Sequence, residues 1–441
     1  MFRMLDRPLA ILAAIAALGL SPTARATVYE VKAGDDWAAL APKLVAGDEV
    51  VLLEGVHREA AFNKLAGAPG KPIVFRSRDA KSLAEIAPSR EAIRLVDCSH
   101  IRIERVLVKN ARRAAILIEG TGEAPSTDIV INDLLVMGVK DLVEESGLVV
   151  RDSDHIEIAR SRFENCHGSG MHIENSSSVS VDRVQMRVSK FAKTGIALLG
   201  EVDQSSFQHL WIAGGIETAL SIGATDVARH APSVPVIHEM PEQIDTSRLK
   251  TPPANEAKPE AKPEAKPEAK PEAKPEPTPE APPPPATETP AAAVALVRNV
   301  NFSDVLVIGA DRAFDFGSCD QVSVANSTLV GAREEVYRFT KPADGRTTAT
   351  IRFRNNIITW EPGGLRRIGH INEGASVKGF ILGPNIWWSN ELPSALPLLG
   401  PAGAPFLGTL ESPQRIDLDP DLDDQNRPRA QEAKTYGQSG N

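Results

Sequence analysis

Apolar residues alternate with polar ones in short runs that recur along this chain at nearly constant spacing. Leu148-x-Val150 is followed across a polar turn by Ile156-x-Ile158, and Met171-x-Ile173 is followed in the same way by Val179-x-Val181. Ile93-x-Leu95 with Ile101-x-Ile103, and Phe314-x-Phe316 with Val322-x-Val324, repeat the arrangement far apart in the chain. The turns between paired runs are Asp97-Cys98-Ser99, Asp152-Ser153, Asn175-Ser176 and Ser318-Cys319-Asp320. Second runs begin at Ile101, Ile129, Ile156, Val179, Phe207, Val300, Val322 and Ile351, at intervals of 22 to 29 residues except between Phe207 and Val300. A fixed period of this length, built from period-2 runs and polar turns, is the signature of a stacked-repeat architecture. Alternation puts one set of side chains inward and the other outward. The pattern predicts an all-β chain wound as a single parallel β-helix, right-handed by the usual crossover preference, with successive turns about 4.8 Å apart.

The exceptional interval has its own composition. Arg229 to Ala293 contains five AKPE units, from Ala257 to Glu276, inside a Pro-rich stretch of alternating charge. Such a segment has too little apolar surface to pack and is expected to be extended and disordered. Removing it restores the repeat interval, so it reads as an insertion in a loop between two turns of one coil. The expected division is a secretory signal at 1–26, the first part of the β-helix at 27–228, the insertion at 229–293, the second part with a cap at 294–390, and an irregular tail at 391–441. A helix-like segment from Asp36 and Trp37 to about Val45 is expected to cap the first turn, as repeat arrays need an atypical terminal unit.

Charge and composition narrow the class of function. The 441 residues carry a formal charge of −9 and no basic patch interleaved with aromatics, which argues against a nucleic-acid partner. Arg3 and Arg7, the apolar run Leu9 to Leu20 and Ala24-Arg25-Ala26 read as a cleavable secretory signal, placing the mature chain in the periplasm or outside the cell. That apolar run is too short for an ordinary membrane span, and no membrane-spanning segment is expected after cleavage. Three cysteines make a disulfide framework unlikely by arithmetic, and Cys98 and Cys319 fall in register with Ser153 and Ser176, as stacked small turn residues would. A monomer is expected.

Gly47-Asp48-Glu49-Val50-Val51-Leu52 to Gly55, followed by Gly70-Lys71-Pro72-Ile73-Val74-Phe75, resembles the first coil of chondroitinase-B-like and alginate-lyase-like polysaccharide lyases. More broadly, Val28 to about Trp360, less the insertion, resembles right-handed parallel β-helix proteins of the pectin-lyase-like superfamily. The resemblance implies an extracytoplasmic protein that handles acidic polysaccharide, commonly by β-elimination. The chain departs from those lyases in lacking their lysine-bearing and arginine-bearing strand motifs. His167-Gly168 echoes the His-Gly of polygalacturonases without the paired aspartates, and Asp154-His155 lies in an ordinary repeat turn. Activity therefore does not carry over residue by residue.

The register of the first strands supplies candidates instead. With Leu148, Val150, Met171 and Ile173 inward, one outward column reads Leu117, Val149, His172, Ala197, Ser221, Asp315, Arg338. Its neighbour reads Glu119, Arg151, Glu174, Leu199, Gly223, Gly317, Thr340. Elimination from a uronate needs a base near the C5 proton and a positive group on the carboxylate. His172 is the candidate base, Glu174 its orienting partner, Arg151 the carboxylate clamp, and Arg338 a group for a neighbouring sugar. Asp315, Lys190 and Lys193 are candidate substrate-binding residues. The competing reading makes Glu119-Arg151-Glu174 and Asp315-Arg338 ion-pair ladders that compensate their own charges on an exposed sheet, with solvated loop lysines. No cofactor is expected. Asp417-x-Asp419-x-Asp421 resembles part of a calcium loop, but lacks its glycine and has Pro428 where the closing glutamate belongs.

Two function classes follow: a polysaccharide lyase acting on acidic glycan, or a non-catalytic β-helix that binds glycan or another envelope component, with the Pro-rich insertion as a projecting arm.

Overall fold

A computed structural model describes residues 26–122, 124–139, 146–189, 192–223, 297–341, 348–361, 364–375 and 379–389. The chain divides into two compact units, Met1–Arg229 with Ala292–Asn441, and His230–Ala291. The second unit, the signal segment except Ala26, Lys190 and the Asp417–Asp421 stretch all lie outside the described residues.

Within the first unit the strands stack in parallel, coil upon coil. Ten of them form one sheet, from Ala60–Asn63 through Ser146–Arg151 and Ser169–Glu174 to Arg367–Ile371. A 21-stranded sheet holds the other two faces of the coil, which are joined because Ser205–Ala213 and Val297–Ile308 each pair along both. The interior is filled by ladders of like residues. Ile73, Ile101, Ile129, Ile156 and Val179 pair one on the next, all at most 1% exposed. β-Branched residues suit this role because their stiff side chains pack well on a pleated, buried surface.

One ladder differs from the spacing read off the sequence. Phe207 pairs with Val181 and Phe302, two residues further along than Val179 and Val300. The two phenylalanine rings stack 4.8 Å apart at 19°, so a matched aromatic pair sets the register here. The same contact joins strands on either side of residues 224–296: Ser205–Ala213 pairs with Val297–Ile308, and Thr218–Ile222 pairs with Arg312–Phe316.

The first coil is closed by polar and aromatic anchors. The predicted helix is a short 3₁₀ turn, Ala38–Lys43, which contains Pro42. Trp37 before it is 1% exposed, meets Phe62 and Phe75 edge-on at 5.5 and 5.6 Å, and donates its indole N–H to Arg58 O at 2.9 Å. Asp48, fully buried, accepts Thr27 N–H at 2.8 Å and Val45 N–H at 2.9 Å, so both of its carboxylate oxygens pin backbone.

The turn between faces carries the expected ladder of small side chains. Cys98 N–H donates to Ser126 Oγ and Ser153 N–H to Ser176 Oγ, while Ser126, Ser153 and Ser176 donate to Glu119 O, Arg151 O and Glu174 O. The Ser126 and Ser176 hydroxyls thus each satisfy two backbone groups at a corner where regular pairing is interrupted. The three cysteines are free and buried, and burial pushes the Cys166 thiol up to about 12 and Cys98 and Cys319 up as well. None presents a thiolate for chemistry.

Strict alternation, kept in Ala60–Asn63, fails at one place in the later strands of the ten-stranded sheet. Ile116, Leu148, Met171, Ile196, Leu220, Phe314 and Tyr337 pair as one inward ladder. The residue just before each also faces inward: Ala115, Ala219, Ala313 and Val336 belong to the core. At Gly147, Gly170 and Gly195 an added Cβ would meet Phe163, Met186 and Ile212 side chains. Two successive inward residues make the next residue upstream face outward. This corner sets up an additional outward column in which Ser146, Ser169, Thr194, Thr218, Arg312, Glu335 and Arg367 pair in order.

Candidate functional site

The outward face of the ten-stranded sheet carries two clusters of charge, separated by a stretch of Thr194, Thr218, Ala197 and Ser221. The cluster nearer the N-terminal end comprises the residues expected from the register. Val149, His172 and Ala197 pair side by side, as do Glu119, Arg151 and Glu174. Arg151 Nε donates to Glu174 Oε2 at 2.9 Å, and Arg151 lies 4.0 Å from Glu119, which also binds Arg94. His172 Nε2 lies 3.4 Å from the same Glu174 oxygen. That bond, with the Arg151 guanidinium, overcomes burial and holds the Glu174 carboxyl at about 2. An ionised carboxylate only accepts, so Nε2 of His172 is the donor.

This face is buried rather than exposed. His172 is 3% exposed, and Leu117 and Val149 beside it form a small apolar cluster with Ala114 on the outside of the sheet. Two guanidiniums, Arg94 and Arg151, stand against two carboxylates, Glu119 and Glu174, so the ladder balances its own charge. Arg151 and His172 are both committed to Glu174.

The second cluster lies on the last three strands of the sheet. Asp315, Arg338 and His370 pair in register, and Arg338 is bonded to Glu335: Nε donates at 2.9 Å and Nη2 at 3.3 Å. Asp315 accepts the Thr340 hydroxyl at 2.6 Å and sits 3.8 Å from Arg312. Glu335 is the hub. It has no exposed surface, and besides Arg338 it receives Arg312 Nε at 3.2 Å, Arg367 Nε at 2.9 Å and His370 Nδ1 at 3.0 Å. Burial alone would raise its carboxyl; the Arg338 bonds and charge, with His370 and Arg367, outweigh burial and hold it at about 2. Three guanidiniums stand against the carboxylates of Glu335, Asp315 and Glu217, the last 3.7 Å from Arg312, so the described charges of this cluster balance.

Exposure distinguishes the members. Arg312 is 5% exposed at its side chain, whereas Arg338 and Arg367 are 21% and 30% exposed, open enough to meet a ligand. Glu335, Arg312 and Arg367 escape a strict period-2 reading because they occupy the additional outward column. His370 escapes it because the repeat fades after Trp360. The sequence does carry a signal for that column: a small or apolar residue directly before the inward one, as in Ala115-Ile116, Gly147-Leu148, Ala313-Phe314 and Val336-Tyr337.

Of the other expected binding residues, Lys193 is exposed on the loop leading into Thr194–Leu199, its N–H bonded to Gly168 O at 3.0 Å. Lys190 lies outside the described residues. Among the described residues, no three His, Cys, Asp or Glu side chains are grouped to hold a metal ion, and no helix is long and apolar enough to cross a membrane.

No family model and no curated protein sequence matches the chain. Solved structures do. A GH136 lacto-N-biosidase from Eubacterium ramulus aligns over 85% of this chain and 65% of its own, at 8% identity and a TM-score of 0.53. Pectate lyase Pel9A aligns over 80% of this chain and 79% of its own, at 12% identity and 0.49. A rhamnogalacturonan lyase aligns over 93% and 99%, at 12% identity and 0.49. At 8% identity the likeness to the lacto-N-biosidase shows architecture alone, in accord with the stacked parallel strands: the chain is a right-handed parallel β-helix.

Proposed function

We propose that this chain is an extracytoplasmic, carbohydrate-binding β-helix that recognises an acidic polysaccharide along the outward face of its ten-stranded sheet. The observation that carries this reading is the pair of guanidiniums of Arg338 and Arg367, partly open to solvent and both held on Glu335 through Nε and Nη2. Planar guanidiniums with donors to spare suit the carboxylates or sulfates of such a polymer. An extended, repeating sheet face suits an extended, repeating ligand. The balanced Glu119–Arg151–Glu174 ladder is assigned to stability and orientation, which sets aside His172 as base and Arg151 as clamp. Lys193, exposed on the loop leading into the face, adds positive charge there.

Retention of the purified protein on immobilised alginate, pectate, heparin and a neutral glucan tests the reading. Retention on an acidic polymer that falls about tenfold or more in Arg338→Ala and Arg367→Ala, and survives His172→Ala, is expected. Equal retention on the neutral glucan, or no change in either arginine variant, sinks it.

A further inference from the structure

One of the two faces held by the 21-stranded sheet changes character partway along the coil. Arg162 and Gln185 pair in one outward ladder, which Trp211, Leu306, Thr328, Ile357 and Ile386 continue, each paired with the next. The neighbouring ladder begins with Glu164 and Arg187 and passes through Ile308 and Val330 to Trp388. Both ladders are polar in the earlier coils and mainly apolar from Trp211 on. Arg162, Gln185 and Arg187 are exposed, as outward residues of a free face should be. Leu306, Ile357 and Ile386 have the same parity yet are at most 3% exposed. Their sequence neighbours Val307, Ile358 and Trp387 fill the core, whereas these three belong to neither apolar cluster of the described residues. Apolar side chains that point away from the core and are still buried have something laid over them.

The chain supplies a matching segment where the ladders end. Ile386–Ser389 is the last strand of this face, and the sequence runs straight on from it. Residues 392–410 hold six leucines and Phe406 without one charged side chain, and Glu411 is the first charge after them. Pro393, Pro397, Pro401 and Pro405 recur at every fourth position, so this stretch lacks the N–H groups of a regular further strand. Its leucines are buried best by lying on an apolar surface. From Ile386 back to Trp211 is four ladder steps, about 19 Å. Residues 392–410 in extended form reach about 60 Å, so the span is ample.

We infer that residues 392–410 are the occupant of this face, lying across its last coils from Trp388 toward Trp211 as an apolar strap. The inference stands apart from the acidic-polysaccharide reading, which concerns the ten-stranded sheet. Without the strap, the two ladders would offer a second copy of the chain a contiguous apolar patch. Trp211 marks the far limit of the strap, because the coil before it offers Gln185 and Arg187, with the Arg187 guanidinium 5.6 Å from the centre of the Trp211 ring.

Photo-cross-linking on the full chain tests this. Val330, half-buried in the apolar stretch, is replaced by p-benzoylphenylalanine, and Gln185 in the polar stretch is replaced in the same way as a reference. After irradiation the products are sized, and the linked peptides are mapped by mass spectrometry. The probe at position 330 is expected to link within one chain to residues 392–410, and the probe at position 185 far less. Leu398→Asp combined with Leu399→Asp should cut that link about tenfold, because carboxylates resist burial against an apolar surface. The map from position 330 is read with the tail unaltered, so it decides the matter even where the double variant does not fold. Links to a second chain, to residues 224–296 or to no peptide overturn the inference. Equal yields from the two probes, or an undiminished link in a folded double variant, overturn it as well.

Discussion

Glu335 and Arg338 stand three residues apart on one strand yet face the same side of the sheet, with Arg338 Nε 2.9 Å from Glu335 Oε2. Val336 and Tyr337 between them both turn inward, so the strand spends two residues on the core and none outward. Tyr337 is fully buried among Phe339, Phe353 and Phe380, and burial pushes its hydroxyl far up. The aromatic core beneath and the charge cluster above are thus fixed by the same four residues.

Removing the hub should therefore cost more than removing any one spoke. Glu335→Ala leaves three guanidiniums facing one another, of which Arg312 is almost fully buried. Stripping one partner from a buried ionic network costs about 3–5 kcal/mol. Arg338 and Arg367 can relax toward solvent, so the lower end, about 3 kcal/mol, is expected in urea denaturation. Arg367→Ala should cost about 1 kcal/mol, because Glu335 keeps its bonds to Arg312, Arg338 and His370. A smaller loss for Glu335→Ala than for Arg367→Ala contradicts the hub.

Acid should weaken the fold through the same groups. Glu335 and Glu174 are both held at about 2, below the ordinary 4.5. A carboxyl depressed in the folded state contributes its full stability above the ordinary value and loses it as pH falls through the folded one. The denaturant midpoint should therefore fall steadily as pH is lowered from about 4.5 to about 2. Glu335→Gln, which cannot titrate there, should flatten that fall. An identical pH dependence in variant and wild type assigns the acid sensitivity elsewhere.

The glycines of the inward corner make a third expectation. A Cβ on Gly170 would lie 2.7 Å from Gly195 O and 2.7 Å from Met186 Sδ. The carbonyl belongs to the next coil and cannot yield without opening the stack, although the methionine sulfur can move. Gly170→Ala should cost about 1–3 kcal/mol, the usual range for overpacking. At Gly122, where an added Cβ meets nothing within 4 Å, only the positive φ of 86° resists, and alanine should cost about 1 kcal/mol. Equal losses at the two sites contradict the close-packed corner.

Much of this fold is written in the spacing of its apolar residues, and the reason is physical. Parallel stacking makes every coil repeat the environment of the one before, so Ile101, Ile129 and Ile156 answer the same demand and carry the same residue. That regularity also placed Arg151, His172 and Glu174 correctly side by side. It failed where a local rule changes. The corner with two inward residues shifts parity upstream, which hid Glu335 and its bond to Arg338 on the same strand. The two-residue slip at Phe207 has a similar cause, since ring stacking on Phe302 outweighs even spacing. Exposure is the other quantity that alternation does not give: outward did not mean solvated for His172, Leu117 or Val149.

The segment between the two parts of the coil yields the last prediction. Phe207 stacks directly on Phe302, and Thr218–Ile222 pairs directly with Arg312–Phe316, so strands on either side of residues 224–296 are neighbours in the coil. We propose that this Pro-rich, charge-alternating stretch is an insertion in a loop. For a flexible loop the closure cost grows as about (3/2)RT ln n. Deleting 240–291 shortens the stretch from 73 residues to 21, since 73 − 52 = 21, and this should lower that cost by roughly 1 kcal/mol. The deleted protein is expected to unfold cooperatively at an equal or slightly higher urea midpoint, with the same m-value, because no buried surface is lost. A lower midpoint with a smaller m-value would show that the segment packs on the coil and that the loop assignment is wrong.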